Sequence, residues 1–509
     1  MYPGTYITRF PDKPAIVMAG SGEVLTYREL DEGSARLARH LHERGLRRGD
    51  HVALLTGNHP RALEVYWAAL RSGLYITAVN RHLSPAEIAY IVNDCGARAL
   101  IVSHSMADAA ETILPDTPGV EVRLAYHGRV AGYDSYEEAL RGTSPQPLPS
   151  QPAGTDMLYS SGTTGRPKGI KTPLPDRQVD EPGDTGVAVF GPLYGFGEDT
   201  VYLSPAPVYH AAPLRFCATV QALGGTVVLM ERFDAQEALA AIERYRVTHS
   251  QWVPTMFVRM LKLDEATRNR YDLSSLRVAV HAAAPCPAEV KRAMIDWWGP
   301  VLHEYYSSTE GIGITFADSE DWLARPGTVG RAALGTIRIC GPDGRELPAG
   351  ETGAVYFEQE RMQFAYHNDP DKTAQARHPE HPNWATTGDI GYVDDEGFLY
   401  LTDREAFMII SGGVNIYPQE IEDALALHPK VLDSAVIGVP DPEMGEAVVA
   451  AVQPAPGILP SPELAEELRA FLRDRIAHYK VPRSFDFVDA LPRTPTGKLV
   501  KRELRGRYR

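Results

Sequence analysis

The residues best equipped for chemistry lie in one short run, Tyr159-Ser160-Ser161-Gly162-Thr163-Thr164-Gly165-Arg166-Pro167-Lys168-Gly169. Its glycines let the backbone come close to a ligand. The hydroxyls of Ser160, Ser161, Thr163 and Thr164, with backbone N–H groups, can wrap an anion. Arg166 and Lys168 add positive charge. This is phosphate-binding chemistry. It is not a Walker A loop, because no Gly-Lys-[Ser/Thr] follows at the required spacing.

Such a loop needs rigid elements to hold it. Thr26-Tyr27-Arg28-Glu29 has the capping-box form, a Thr at the N-cap and a Glu three residues on. Leu30, Leu37 and Leu41 then recur at helical spacing, and Gly45 is a stop. Ser84-Pro85-Ala86-Glu87 starts another helix in the same way. Short apolar runs at Val52–Leu55, Leu74–Val79 and Ala99–Val102 read as buried strands between helices. Strand–helix alternation predicts α/β architecture, with parallel sheets covered on both faces. The same rhythm recurs at Gly225–Met230, Ala235–Arg244 and Val278–Ala282. After about residue 330 it changes. Turn clusters at Gly341–Gly344 and Pro348–Gly350 flank short strands such as Ala354–Glu358, which predicts a small antiparallel or barrel-like region. Beyond Asp403 a compact α+β segment holds helices Pro418–Leu427 and Pro462–Ile476 and strands Ser434–Val439 and Ala447–Val452. The expected domains are 1–402 and a small C-terminal one, 403–509. The Pro/Ser-rich run Gly142–Gln151 reads as a linker.

A chain of 509 residues exceeds what one core fills. Its net charge of −15 is repelled by phosphate backbones and anionic lipid, which argues against a nucleic-acid or polybasic membrane partner. The 4 cysteines are scattered without metal spacing. No apolar start resembling a signal peptide and no transmembrane run of about 18 residues stands out, so a cytoplasmic protein is the expectation.

The loop YSSGTTGRPKG resembles the phosphate-binding loop of the adenylate-forming superfamily, which includes acyl-CoA synthetases, adenylation domains and luciferases. Further motifs of that family follow in its order: Tyr306-Ser307-Ser308-Thr309-Glu310-Gly311, then Thr387-Gly388-Asp389, Asp403-Arg404, Ser411-Gly412-Gly413, and Pro495-Thr496-Gly497-Lys498. ISGGVNIYPQEIE and VPRSFDFVDALPRTPTGKL look most like fatty-acyl-CoA synthetases.

The resemblance implies a reaction in two steps. A carboxylate attacks the α-phosphate of Mg²⁺-bound ATP, giving an acyl-adenylate and pyrophosphate; the thiol of CoA then displaces AMP. Ser160 to Gly165 and Lys168 would cradle phosphate, with Tyr306 beside the nucleotide. Glu310 is the expected Mg²⁺ ligand, since magnesium takes one or two carboxylates and leaves the rest to water and phosphate. Thr309 would bond phosphate. An isolated Thr-Glu is more often a helix N-terminus, and only the motif order argues otherwise. Asp389 would accept the ribose hydroxyls, and Arg404 would reach ribose or phosphate. Lys498 is the expected adenylation lysine, carried on the mobile C-terminal domain. Gly412 and Gly413 would line the thiol channel. Ala406 stands at the hinge, where the family usually has Lys or Asp, which puts the balance of the two steps in question. Tyr209 and His210 match the element that gates the carboxylate site. The acyl pocket would draw on Trp252, Thr255, His281, Ala282, Ala283 and Ala284, whose small alanines leave room for a medium, long or ring-bearing acid. Cys286 reads as packing.

The resulting expectation is an ATP-dependent carboxylic acid–CoA ligase, compatible with a homodimer. Its alternatives are an amide ligase that passes the adenylate to an amine, and a nucleotide-binding protein without turnover.

Overall fold

A computed structural model describes residues 1–160, 167–404, 407–411, 414–442, 444–493 and 499–508. The chain forms two compact units. The first comprises Met1–Trp252, Leu263–Ala279 and Gln363–Thr373; the second comprises Val253–Lys262, Val280–Met362 and Ala374–Arg509.

The first unit starts from a helix the sequence specifies locally. In Tyr27–Glu43 the Thr26 hydroxyl accepts from the Glu29 N–H, and the Glu29 carboxylate accepts back from the Thr26 N–H. Its buried stripe of Leu30, Leu37, Ala38 and Leu41 also carries Asp31. That carboxylate is kept inside by Arg71 Nη1 at 2.9 Å, with both side chains buried. Ser84 and Glu87 make the same reciprocal cap on Pro85–Asp94.

These helices accompany a parallel sheet whose strands run in the order Asp134–Ser135, Val122–Tyr126, Ala97–Ser103, His51–Leu55, Tyr75–Val79, Thr155–Asp156. His51–Leu55 and Tyr75–Val79 are buried at every residue. Successive side chains point to opposite faces, so both faces must be covered, as strand–helix alternation predicts. A second set of strands runs His249–Trp252, Val201–Ser204, Thr226–Leu229 and Pro14–Met18 in parallel, edged by Val24–Thr26 as a hairpin. A small antiparallel sheet, Ala365–Tyr366, Lys168–Lys171 and Leu158–Ser160, completes the unit.

The second unit changes rhythm as expected. Its strands Thr336–Cys340, Gly353–Glu358, Asp389–Val393, Leu399–Arg404, Thr328–Leu334, Ile314–Ala317 and Leu302–Ser307 pair antiparallel in that order. The C-terminal strands form a long hairpin, Val431–Asp441 with Gly445–Pro454, joined in parallel by Ser484–Phe487. Pro418–Ala426 and Pro462–Arg473 pack on it around Ile421, Leu425, Val436, Val448, Leu464 and Leu468. This hairpin is longer than its apolar runs imply, because pairing continues through half-buried ends.

Several histidines are buried in forms that cannot easily take a proton. Burial, with Lys171 and His367 nearby, pushes His51 down to about 4. Burial and His127 push His59 to about 4 as well. Both folded-state pKa values lie below the ordinary value near 6.5, so between about pH 6.5 and 4 the unfolded chain binds more protons. The stability these groups contribute is therefore present above pH 6.5 and lost on acidification. His51 stacks on Tyr75 at 4.6 Å, a contact phenylalanine can keep. We expect His51→Phe to narrow the drop in melting temperature between pH 7 and pH 5. An unchanged drop in that variant would show that His51 is not protonated on unfolding.

Candidate active site

The two described ends of the phosphate-loop run lie on paired antiparallel strands of the first unit. Ser160 stands opposite Lys168, and Tyr159 opposite Gly169. Ser161, Gly162, Thr163, Thr164 and Gly165 lie outside the described residues. The Lys168 ammonium sits over the Tyr366 ring of the third strand, 5.5 Å from its centre.

Tyr209 and His210 precede the helix Ala211–Ala222, with His210 at the N-cap but making no side-chain cap bond. Their rings lie 4.5 Å apart. The His210 Nε2 is enclosed without a hydrogen-bond partner. Burial, and then the His82 imidazole, hold its pKa down to about 3. At neutral pH this ring is uncharged, so it can exchange a hydrogen bond with a substrate but cannot neutralise a carboxylate. Trp252 ends the strand His249–Trp252 fully buried, its Nε1 donating to Ser250 Oγ at 2.7 Å.

In the second unit the sequence motifs fall on strand ends. Tyr306 closes the strand Leu302–Ser307, and Thr309 and Glu310 occupy the turn that follows. No helix starts there, which removes the helix N-terminus reading. The turn is fixed from behind. Ser307 Oγ donates to Gly313 O at 2.7 Å, and Gln359 Nε2 donates to Gly311 O at 3.0 Å and Ile312 O at 2.6 Å. Gly311 has φ of +67°, which a side chain would disfavour.

Asp389 opens the strand Asp389–Val393 and is 6% exposed. Its Oδ2 accepts from Tyr306 Oη at 2.6 Å and Thr387 Oγ1 at 2.8 Å. Two predicted motifs thus meet at one carboxylate oxygen. Asp389 also faces Arg404 directly across the strand pair, so the backbone brings a third motif alongside. The side chain of Arg404, and Ala406, Gly412, Gly413 and Lys498, lie outside the described residues.

Thr255 lies in the first turn of Pro254–Leu261. His281 ends the strand Val278–His281, fully buried, and Ala282, Ala283 and Ala284 follow. Ala283 has φ of +76°, unusual for a residue with a Cβ and a local strain of about 1–3 kcal/mol. The His281 Nε2 lies 3.7 Å from Glu304 Oε2, which itself pairs with Lys291 Nζ at 2.7 Å. All three side chains are essentially inaccessible. Burial, then Lys291, pushes the His281 pKa well down, so the imidazole is neutral beside the ion pair.

Sequence reasoning missed this pair. The available signal was Lys291 within the stripe Val290, Met294 and Ile295 that the helix Ala288–Trp298 buries. It also missed Gln359, whose side-chain role nothing local announces.

With this geometry in place, the comparisons are specific. Residues 5–366 match the AMP-binding enzyme family, and residues 420–498 match the AMP-binding enzyme C-terminal domain. A feruloyl-CoA synthase of Amycolatopsis sp. is 36% identical over 97% of this chain and 96% of its own length. The structure of the anthranilate CoA ligase AuaEII with anthranoyl-AMP superposes with a TM-score of 0.86 at 26% identity, covering 100% of this chain and 96% of that one. The amide bond synthetase McbA of Marinactinospora thermotolerans superposes at 0.82 with 30% identity, covering 100% and 99%. The chain belongs to the AMP-binding enzyme family, the adenylate-forming superfamily. Within it the chain is an AMP-forming acyl-CoA synthetase. No helix among the described residues is long and apolar enough to cross a membrane.

Removing one partner of a buried pair leaves an uncompensated charge, at a cost of about 3–5 kcal/mol. Lys291→Met should therefore lower the chemical-denaturation midpoint sharply. Adding Glu304→Leu to it should recover much of the loss. If Lys291→Met were neutral, the pair would not be a structural tie.

Proposed function

We propose that the enzyme activates a ring-bearing carboxylic acid with ATP and passes the acyl group to CoA. The observation that carries this reading is the likeness, over nearly the whole of both chains, to a synthase named for feruloyl-CoA. The small residues Ala282, Ala283 and Ala284 after the strand end are consistent with room for a ring. Cytoplasmic supplies of ATP and CoA suit the reaction.

In the first step a carboxylate oxygen bonds to the α-phosphorus and pyrophosphate leaves. The difficulty is approach of an anion to a polyanion, so positioned cations and N–H donors supply most of the catalysis. Residues 160–165 and Lys168 hold phosphate in this proposal, and Lys498 bridges the carboxylate and the α-phosphate. Asp389 takes the ribose hydroxyls. Its Oδ2 already accepts from Tyr306 and Thr387, which fixes the carboxylate plane before the sugar arrives. His210, uncharged, orients the acid without trapping it as a salt. Glu310 is the metal-binding carboxylate. Among the described residues no three His, Cys, Asp or Glu side chains converge on a cation site. Glu310 on its braced turn would hold Mg²⁺, which takes one or two protein carboxylates. The ion would neutralise phosphate charge. In the second step the CoA sulfur bonds to the acyl carbon and AMP leaves. Gly412 and Gly413 give the thiol arm a path, and Ala406 is the pivot between steps.

The likeness to McbA favours one second reading, in which an amine takes the acyl group. Pyrophosphate–ATP exchange across aromatic, alicyclic and straight-chain acids identifies the acid. AMP release dependent on CoA or on amine then identifies the acceptor.

Lys498→Ala should slow adenylation by roughly 10²–10³ while sparing thioester formation from supplied acyl-adenylate. Gly413→Leu should do the reverse. Equal loss in both half-reactions would remove either residue from its assigned step. Glu310→Gln should raise the Mg²⁺ requirement more than the KM for the acid, and an unaltered magnesium titration would take Glu310 out of the metal site.

A further inference from the structure

The hairpin that carries the phosphate loop is tied to a distant acidic residue. Tyr159 Oη donates to Asp94 Oδ2 at 2.5 Å. Asn368 Nδ2 donates to Asp94 Oδ1 at 3.3 Å, and the His367 Nε2 lies 3.0 Å from the Asp94 carbonyl oxygen. Tyr159 belongs to one outer strand of the three-stranded sheet, and His367 and Asn368 directly follow the other. One residue therefore grips both edges of the sheet whose central strand carries Lys168.

The local chemistry is built for this grip. Gly169, facing Tyr159 across the hairpin, leaves room that a Cβ would fill at 2.5 Å from Met157 Cε and 3.0 Å from Tyr159 Cζ. Its carbonyl accepts from the His367 N–H at 2.8 Å. Asn368 adopts φ of +56°, a left-handed turn that Asn tolerates better than most residues. Asp94 is the last residue of the helix Pro85–Asp94, where a carboxylate opposes the helix dipole. Helix physics alone would not choose an acid there; two side-chain donors from the loop's frame, Tyr159 and Asn368, give its carboxylate a partner set. Burial, and then Asp94 itself, raise the Tyr159 pKa far above its ordinary value, so the hydroxyl remains a donor at any working pH.

We propose that the Asp94 carboxylate is a positioning group for ATP: through Tyr159 and Asn368 it latches the base of the phosphate loop and sets where the triphosphate binds. Asp94 acts through the frame and touches no substrate. The proposal rests on residues 160–165 being the phosphate loop.

The test is a double-mutant cycle with each half-reaction read separately. Asp94→Ala and Tyr159→Phe should each raise the KM for ATP about tenfold, the worth of a hydrogen bond to a charged group. The double variant should be no worse than Asp94→Ala alone, because the Tyr159 bond is already lost in it. Asp94→Asn, which can still accept from Tyr159, should recover most of the affinity. Thioester formation from supplied acyl-adenylate should stay near normal throughout. Unchanged KM in both single variants, strictly additive effects, or equal loss in both half-reactions would overturn the latch. Thr164→Ala separates the two ideas. If it raises the KM for ATP while the Asp94 variants do not, the latch alone fails. If it too leaves ATP binding unchanged, the phosphate-loop reading fails with it.

Discussion

Repulsion between a carboxylate and a triphosphate is the constraint on which the rest of this molecule turns. The chain itself carries a net charge of −15, so its overall field opposes both anions. Attraction must come from local groups held where solvent cannot reorganise around them. That explains why Thr309 and Glu310 sit on a short turn after one strand and Asp389 at the start of another. A turn presents N–H groups and hydroxyls in a concave array, and a strand end cannot drift. The turn after Tyr306, clasped by Ser307 and Gln359, shows how much bonding is spent on holding one Glu still.

The same constraint clarifies the treatment of titratable groups. Protonated histidines are one source of positive charge for gathering anions. Here His51, His59, His210 and His281 are all driven toward the neutral form by burial. Permanent cations, Lys and Arg, are left to provide charge, and imidazoles provide shape and hydrogen bonds. Where a cation is buried for structural reasons, as at Lys291, it is matched by a carboxylate at once.

Much of the fold was legible because its signals are local. The caps at Thr26 and Ser84 involve residues three apart, and both formed as read. The buried, mostly apolar strands of the parallel sheet had no competing periodicity. The helix Thr185–Tyr194 was not legible: Gly186, Gly191 and Pro192 all disfavour a helix, and its Asp184 cap and packing override them. The motif residues were legible as an ordered set, and the meeting of Tyr306 with Asp389 gives two of those motifs one carboxylate. Partners such as Asp94 for Tyr159, or Gln359 for the Glu310 turn, were not. They are remote in sequence, and a single Asp or Gln carries no pattern.

Distribution of these braces follows from a two-step reaction. ATP must be held tightly enough for adenylation, yet AMP and pyrophosphate must leave. Bonds that hold a binding group in place need not be bonds to the ligand. The sheet base at Tyr159 and Gly169, the Asp389 carboxylate and the clamp at Gln359 are each tied by hydrogen bonds from the surrounding frame. Bonds made behind the site are present in every state and so do not discriminate substrate from product. Bonds made by the turns can differ between states, and only those differences accelerate a step.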